Sequence, residues 1–289
     1  MSSSRSVVII RVPYHVSGFW IPIYAKSVEE SGSLGAGLIL SRRLEALAGA
    51  GLPPNDSVSL RVATLSGLRE PIGMELREPY PLGRGFGASA ARALAQALAI
   101  EVARGRGSML RAGQLAHEAE VLEGTGLGDV IAEFYGGALV VRLRPGPPGR
   151  GLVDRYPVSR KMRVVALTLG SMTTREMHRL YLERISRCGP EAYRSFLKNP
   201  GLETFVEEAN RFSLCVGFAS QEVRERVEAV IRRWLAQGAA LGFFVKKKLL
   251  VVVLEEGVAY EVAEALRKEF KSSVWIDSIG APGAEVELP

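Results

Sequence analysis

The chain has 289 residues, 47% of them hydrophobic and 24% charged, with a net charge of +6 and an isoelectric point near 9.4. That length accommodates two moderate cores, the charged fraction is ordinary for a globular protein, and no apolar run is long enough to span a bilayer, which argues against a membrane partner. Basic residues are scattered and not clustered with aromatics, so small anionic substrates fit the charge balance as well as nucleic acid does, and no nucleic-acid partner is expected.

In chain order, Val7 to Val12 reads as a buried first strand, followed by a loop holding Pro13, His15, Ser17, Gly18 and Pro22. Ser33 to Gly37 reads as a glycine-rich turn leading into Leu38 to Leu40, and Val58 to Ala63 alternates like a strand. Two helices are expected over Ala88 to Ala103 and Met109 to Leu122, with the break at Gly105 to Gly107 and Ser108 as N-cap. A turn from Gly124 to Gly128 and a short helix lead to a strand at Ala138 to Leu143. The glycine- and proline-dense Arg144 to Gly151 is a surface loop. Beyond it come a strand at Arg163 to Leu169, helices over Thr174 to Gln237, strands at Gly242 to Val245 and Leu249 to Leu254, a helix at Ala259 to Phe270 and a strand at Val274 to Ile276. This is the β-α-β-β-α-β order of ferredoxin-like domains with extra helices inserted, and it divides the chain into residues 1–158 and 159–289. Lys246-Lys247-Lys248, between two apolar segments, reads as a solvated hairpin turn.

Cys188 and Cys215 are the only cysteines, and they stand in no metal-ligand spacing. Neither a disulfide framework nor a zinc site is expected, which suits a reducing cytosol. The opening Met1 to Ser6 leads to an apolar run too short for a secretory signal.

Chemistry concentrates in two stretches. The first is Pro81-Leu-Gly-Arg-Gly-Phe-Gly-Ala-Ser-Ala-Ala91, where Gly83, Gly85 and Gly87 open directly into an alanine-rich helix. Alternate glycines let successive backbone N–H groups converge on an anion at the positive end of the helix. The run is neither a P-loop, which needs Lys and Ser/Thr after its last glycine, nor the G-x-G-x-x-G of dinucleotide sites. The second is His117 to Asp129, in which Glu118, Glu120 and Asp129 flank a turn made by Gly124, Gly126 and Gly128. Such a turn can bring two carboxylates to one site, as phosphoryl transfer requires for Mg²⁺ and for the attacking hydroxyl. Taken alone, Asp129 serves equally well as a helix cap and the glutamates as a solvated helix face.

Together the two stretches resemble the GHMP kinase superfamily, with Pro81, Gly85, Phe86, Gly87, Ser89 and Ala90 matching its second motif and Asp129 preceding Tyr135-Gly136-Gly137. Within it, Gly32-Ser-Leu-Gly-Ala-Gly37, His117 with Ala119-Glu120, and Thr125-Gly-Leu-Gly-Asp-Val130 resemble archaeal pantoate kinases over roughly the first 160 residues. The resemblance implies an α+β GHMP kinase fold, an N-terminal domain like ribosomal protein S5 domain 2 and a ferredoxin-like C-terminal domain. It also implies ATP-dependent, Mg²⁺-assisted phosphorylation of the 4-hydroxyl of (R)-pantoate in archaeal coenzyme A biosynthesis, with homodimers expected by analogy. Carried over, Gly83, Arg84, Gly85, Phe86, Gly87, Ala88 and Ser89 would hold the ATP phosphates. Ser89 and Glu120, with Glu118 as competitor, would hold Mg²⁺, and Asp129 would align or deprotonate the substrate hydroxyl. Arg142 is assigned to the pantoate carboxylate, and His117, Ser17 and Ser33 to its hydroxyls. Arg142 serves equally well as a solvent-facing strand residue. The third superfamily motif is reduced here to Gly238 and Gly242. The alternatives are a GHMP kinase for mevalonate or homoserine, a catalytically silent protein of the same fold, and an RNA-binding protein.

Overall fold

The computed structural model describes residues 7–105 and 107–289, so Met1 to Ser6 and any reading of them lie outside it. Two antiparallel sheets organise the chain. The first is built on β1 (Val8–Ile23) and β2 (Gly32–Ala48), which pair along nearly their whole length, with β3 (Met74–Arg77), β5 (Leu139–Arg144) and β6 (Leu152–Tyr156) extending it on one side. The expected loop after Val12 and the expected turn at Ser33 to Gly37 are both strand. Every residue from Val12 to Trp20 is buried because helices cover both faces of β1, so the inside-outside alternation that marks a half-buried strand is missing. Pro13 is accommodated by a register shift between Pro13 and His15, where no ladder hydrogen bond is needed from its nitrogen.

The expected strand at Val58 to Ala63 is helical: α1 (Ser57–Leu65) starts at Asp56, whose carboxylate accepts from the backbone of Ser59. The buried set Val58, Ser59, Val62 and Ala63 repeats at helical spacing, which a six-residue window had blurred into alternation. Helix α2 (Ala88–Ala103) runs through the middle of the molecule, and its alanines let β1 and α3 (Met109–Glu123) pack close against it. Ser108 caps α3 by accepting from Arg111, and Gly124 ends it in the left-handed conformation. The short α4 (Asp129–Tyr135) begins at Asp129 and leads through β4 (Gly136–Gly137) to β5.

The second sheet has the order β10-β7-β9-β8, from β7 (Met162–Thr168), β8 (Ala240–Lys246), β9 (Leu249–Glu255) and β10 (Val274–Ser278). With α8 (Ala259–Phe270) between β9 and β10 this is the ferredoxin-like topology expected from the element order, and α5 (Thr174–Phe196), α6 (Leu202–Val216) and α7 (Gln221–Ala236) stand between β7 and β8 where that topology needs one helix, so two are extra. The last residues return to the first half: β11 (Ala281–Pro282) pairs with β4, and β12 (Glu285–Glu287) pairs with β1. Asp277 ties the two sheets together by accepting from Tyr80, Ser41 and the backbone of Arg42.

Contrary to the expectation of free thiols, Cys188 on α5 and Cys215 on α6 form a disulfide across 27 residues of sequence. The bridge was illegible because pairing depends on the antiparallel packing of two inserted helices. Closing a loop of that length restricts the unfolded chain by about 3 kcal/mol. Cys188→Ser, or reduction of the native protein, is expected to lower the melting temperature by roughly 5–10 °C in thermal scans with and without dithiothreitol.

Candidate active site

In the glycine cradle Gly83, Gly85 and Gly87 all take positive φ, and Gly87 is the N-cap of α2. A Cβ on Gly87 would lie against the Glu133 carboxylate and the backbone of His15, so this position requires glycine for space as well as for φ. Gly83, Gly85, Gly87, Ala88 and Ser89 line a cavity of about 410 Å³ whose far wall is Asp56, Ser57, Val58 and Leu82. The first turn of α2 thus opens its unpaired amides and its positive dipole end onto a cavity of nucleotide size.

A second, narrower cavity of about 40 Å³ lies beside it, lined by Ser17, Trp20, Ser33, Leu127, Arg142, Met177 and His178. The two share Thr125, Asp129, Thr174, Lys246 and Lys247 as a common wall. Asp129 therefore faces the glycine-lined cavity on one side and a small polar-and-apolar space on the other.

Three groups face the Asp129 carboxylate. His15 Nδ1 lies 2.7 Å from Asp129 Oδ1, Ser17 donates to the same oxygen at 3.4 Å, and Lys246 Nζ is 3.6 Å from Oδ2. On the far side of His15, Nε2 is 3.4 Å from Arg142 Nη1, and Arg142 Nε donates to Ser33 at 3.1 Å. Because Arg142 can only donate, His15 must accept at Nε2 and carry its proton on Nδ1, toward Asp129. Burial pushes the imidazole down to about 4 despite the hydrogen bond to Asp129, which keeps it in this neutral form. Burial disfavours ionisation of Asp129 too, but Lys246, His15 and Arg142 outweigh it and hold the carboxyl well below the usual range. Arg142 is wholly buried and points into the site, so it is not the solvent-facing strand residue that its alternation also allowed; burial lowers it only to about 10.

Two further carboxyl groups sit close by in different states. Glu120 is buried and accepts from Thr125 Oγ1 at 2.6 Å, while its Oε2 has no partner. Burial, with the neighbouring Asp129 charge, raises it to about 7. A Cβ on Gly126 would collide with Oε2, so the turn passes directly over this carboxylate. Glu133 accepts from the backbone N–H of His15 at 3.1 Å, and burial followed by the charges of Asp129 and Glu120 raises it far above the carboxylate range. Of three acidic groups, only Asp129 is securely ionised, a separation of roles produced by environment alone.

Several expected residues lie elsewhere. His117 lines neither cavity; its Nε2 meets the carbonyls of Ser31 and Val28 at 3.1 and 3.3 Å and pins the β1–β2 connection. The Phe86 side chain is buried in the core, stacked on Tyr80 at 4.2 Å with Trp275 at its edge, and so anchors the cradle without facing its contents. Arg84 neither faces the phosphate space nor dangles in solvent. Its Nη1 donates to the carbonyl of Gly170, joining the cradle to the loop after β7. Neither Glu118 nor Glu120 lines a cavity, but Glu118 is half-buried whereas Glu120 is fully buried with Oε2 directly beneath the Gly126 turn that borders the narrower cavity. The solvated reading of the lysine run also fails, because Lys246 is only 5% exposed and points into the site. Lys247, in the left-handed conformation, donates to Thr174 Oγ1 at 2.7 Å and is lowered to about 8 by burial and by Lys246.

Residues 57–137 match the model of the GHMP kinases N terminal domain. Over 92% of this chain and 98% of the relative, the sequence is 30% identical to a pantoate kinase of Thermococcus kodakarensis. The chain belongs to the pantoate kinase family of GHMP kinases. A pantoate kinase of Methanocaldococcus jannaschii is 27% identical over 73% of this chain and 81% of the relative. Among solved structures, one titled as a phosphotransferase related to the CoA biosynthesis pathway superposes with a TM-score of 0.80 at 26% identity, covering 98% of this chain and 99% of that one. A putative homoserine kinase of Listeria monocytogenes shares the GHMP fold at a TM-score of 0.62 and 17% identity, over 98% of this chain and all of that one. The family's fold assignment thus agrees with the two sheets described above.

Proposed function

We propose that the protein is an ATP-dependent kinase that phosphorylates the 4-hydroxyl of (R)-pantoate, a step toward coenzyme A. The observation that carries this reading is the common wall: one ionised carboxylate, Asp129, stands between a cradle of backbone amides and a small cavity with a buried arginine. Pantoate needs a cation for its carboxylate, polar partners for its hydroxyls and apolar surface for its paired methyl groups. Arg142, the hydroxyls of Ser17 and Ser33, and the side chains of Trp20, Leu127 and Met177 offer these in the narrower cavity.

The residues around Ser89 and Glu120 fit Mg²⁺. A buried carboxylate oxygen without a partner, near the Ser89 side chain that lines the cradle, is the sparse protein contribution that Mg²⁺ takes when phosphates supply the rest of its shell. When bound, Mg²⁺ would neutralise phosphate charge. The chain's own part is positional. The first amides of α2 hold the phosphates, and Asp129, fixed by His15, aligns the acceptor hydroxyl with them. A carboxylate held so far below its usual range is a weak base before substrates arrive, so alignment of the hydroxyl is its main contribution. Proton loss follows late in the loose transition state of phosphoryl transfer.

The test is ADP formation by the purified protein with Mg²⁺ and ATP. Turnover with pantoate, and at least tenfold less with mevalonate or homoserine, is expected. Absence of pantoate-dependent ADP overturns the reading. Arg142→Lys, which keeps the charge but loses the planar fork, is expected to raise KM for pantoate by about 10- to 100-fold at saturating ATP with little change in KM for ATP. Steady-state kinetics with each substrate varied in turn checks this. Among the described residues no helix is long and apolar enough to cross a membrane. We place the protein in the cytosol on its kinase reading alone, because the Cys188–Cys215 bridge removes the support that free thiols would have given.

A further inference from the structure

Lys246 is the last residue of β8, paired with Leu249 across the two-residue turn of Lys247 and Lys248. The turn sends its three lysines in different directions: Lys247 reaches Thr174, Lys248 lies along Gly170, and Lys246 enters the wall shared by the two cavities. Its ammonium is buried and makes no hydrogen bond. The nearest acidic oxygen, Asp129 Oδ2, is 3.6 Å away, well beyond the 2.7–2.9 Å of a charge-assisted hydrogen bond. Three donors withdrawn from water and left unpaired are costly, and a lysine kept only to neutralise Asp129 would close that gap. The geometry is that of a cation waiting for oxygens that arrive with the substrates.

We propose that Lys246 is a catalytic residue whose ammonium binds the phosphoryl group in flight, on the acceptor side and opposite Ser89 and Glu120. This rests on the kinase reading above. The position follows from the walls: Lys246 lines both cavities, so a group passing from the cradle toward the hydroxyl held by Asp129 must pass it. The equatorial oxygens of the phosphoryl group supply the acceptors that Lys246 lacks, and the contact is strongest when the group is between donor and acceptor. The 3.6 Å gap to Asp129 lets one ammonium turn toward the phosphoryl group while still neutralising the carboxylate. Because Lys246 comes from the second sheet and Asp129 from α4, the transferring group is gripped from both halves of the molecule.

The experiment compares the full-length wild type with Lys246→Met, Lys246→Gln and Lys246→Arg, each first shown by its melting curve to be folded. Expected are a 10²- to 10³-fold fall in kcat for Met and Gln, KM for pantoate and the dissociation constant of a non-hydrolysable ATP analogue within about threefold of wild type, and at least tenfold recovery of kcat in Arg. Met and Gln should also lose tight binding of ADP, Mg²⁺ and fluoroaluminate in the presence of pantoate while still binding ADP, a readout that a merely structural lysine would not move. A kcat within threefold of wild type in either neutral variant overturns the assignment, as does unchanged fluoroaluminate binding. Instability of both neutral variants, with Arg folded and as slow as they are expected to be, also overturns it, since the charge would then serve folding alone. A wild type without pantoate-dependent ADP overturns instead the kinase reading on which the assignment rests.

Discussion

Asp129→Asn is expected to lower kcat for pantoate-dependent ADP formation by about 10³- to 10⁴-fold while leaving nucleotide affinity within a few-fold of wild type. The substitution preserves volume, and the amide oxygen can still accept from His15 Nδ1, so the alignment of β1 with α4 survives. What disappears is the negative charge that the acceptor hydroxyl would meet. Lys246 and Arg142 are then left facing each other across His15 without the anion between them, so the variant should also melt several degrees lower than wild type. Stopped-time ADP assays and equilibrium binding of a non-hydrolysable ATP analogue measure the two quantities separately. If kcat falls by less than tenfold, the carboxylate charge does not align the hydroxyl and Asp129 acts only at the start of α4.

The parts of this site that were legible in the sequence are those whose residues are neighbours in the chain. The cradle is seven consecutive residues, and its φ values follow from its glycines whatever surrounds it. The turn from Thr125 to Asp129 is equally local, and with Glu120 one helical turn before it the pair of acidic groups could be anticipated. His15 could not. It lies 114 residues from Asp129, and in isolation it is one polar residue after a proline, which favours the loop reading over a strand buried on both faces. Lys246 was missed by one position. On sequence the apolar run ends at Val245, yet β8 continues through Lys246, and that single added residue separates a solvated turn from a buried cation.

The fold divides in the same way. The β-α-β-β-α-β order of the second half survived the insertion of two helices because each strand there is a short apolar run of ordinary length. The first half misled where function had altered the pattern. Ser17 and Ser33 interrupt β1 and β2 with small polar groups because both line the narrower cavity. The return of residues 281–287 to the first half of the molecule had no local signal, since two- and three-residue strands carry too little pattern to be read. Arg84 gains its meaning from Gly170, a residue on the other sheet's connection.

Glu120→Gln is expected to remove activity and to stabilise the empty protein at the same time. The Glu120 carboxyl is raised from 4.5 to about 7, so the folded protein holds this proton more tightly than the unfolded chain does. Such a group contributes fully below pH 4.5, and its contribution is lost as pH rises through 7, a change of about 3 kcal/mol for a buried group. Glutamine has no charge to bury and can still bond Thr125, so at pH 8 the variant should be more stable than wild type by about 1–3 kcal/mol, with the difference vanishing toward pH 5. Glu133, also raised, and His15, which destabilises in the opposite direction as pH falls from 6.5 toward 4, are present in both proteins and cancel in the comparison. Adding Mg²⁺ and a non-hydrolysable ATP analogue should reverse the order, because the wild-type carboxylate then gains the partner that Oε2 lacks and the glutamine does not. Denaturant unfolding at pH 5, 6.5 and 8, with and without those ligands, reads both halves of the expectation. A variant less stable than wild type at pH 8 in the absence of ligands would show that the buried carboxylate supports the fold and is not held there, at a cost in stability, for binding a cation.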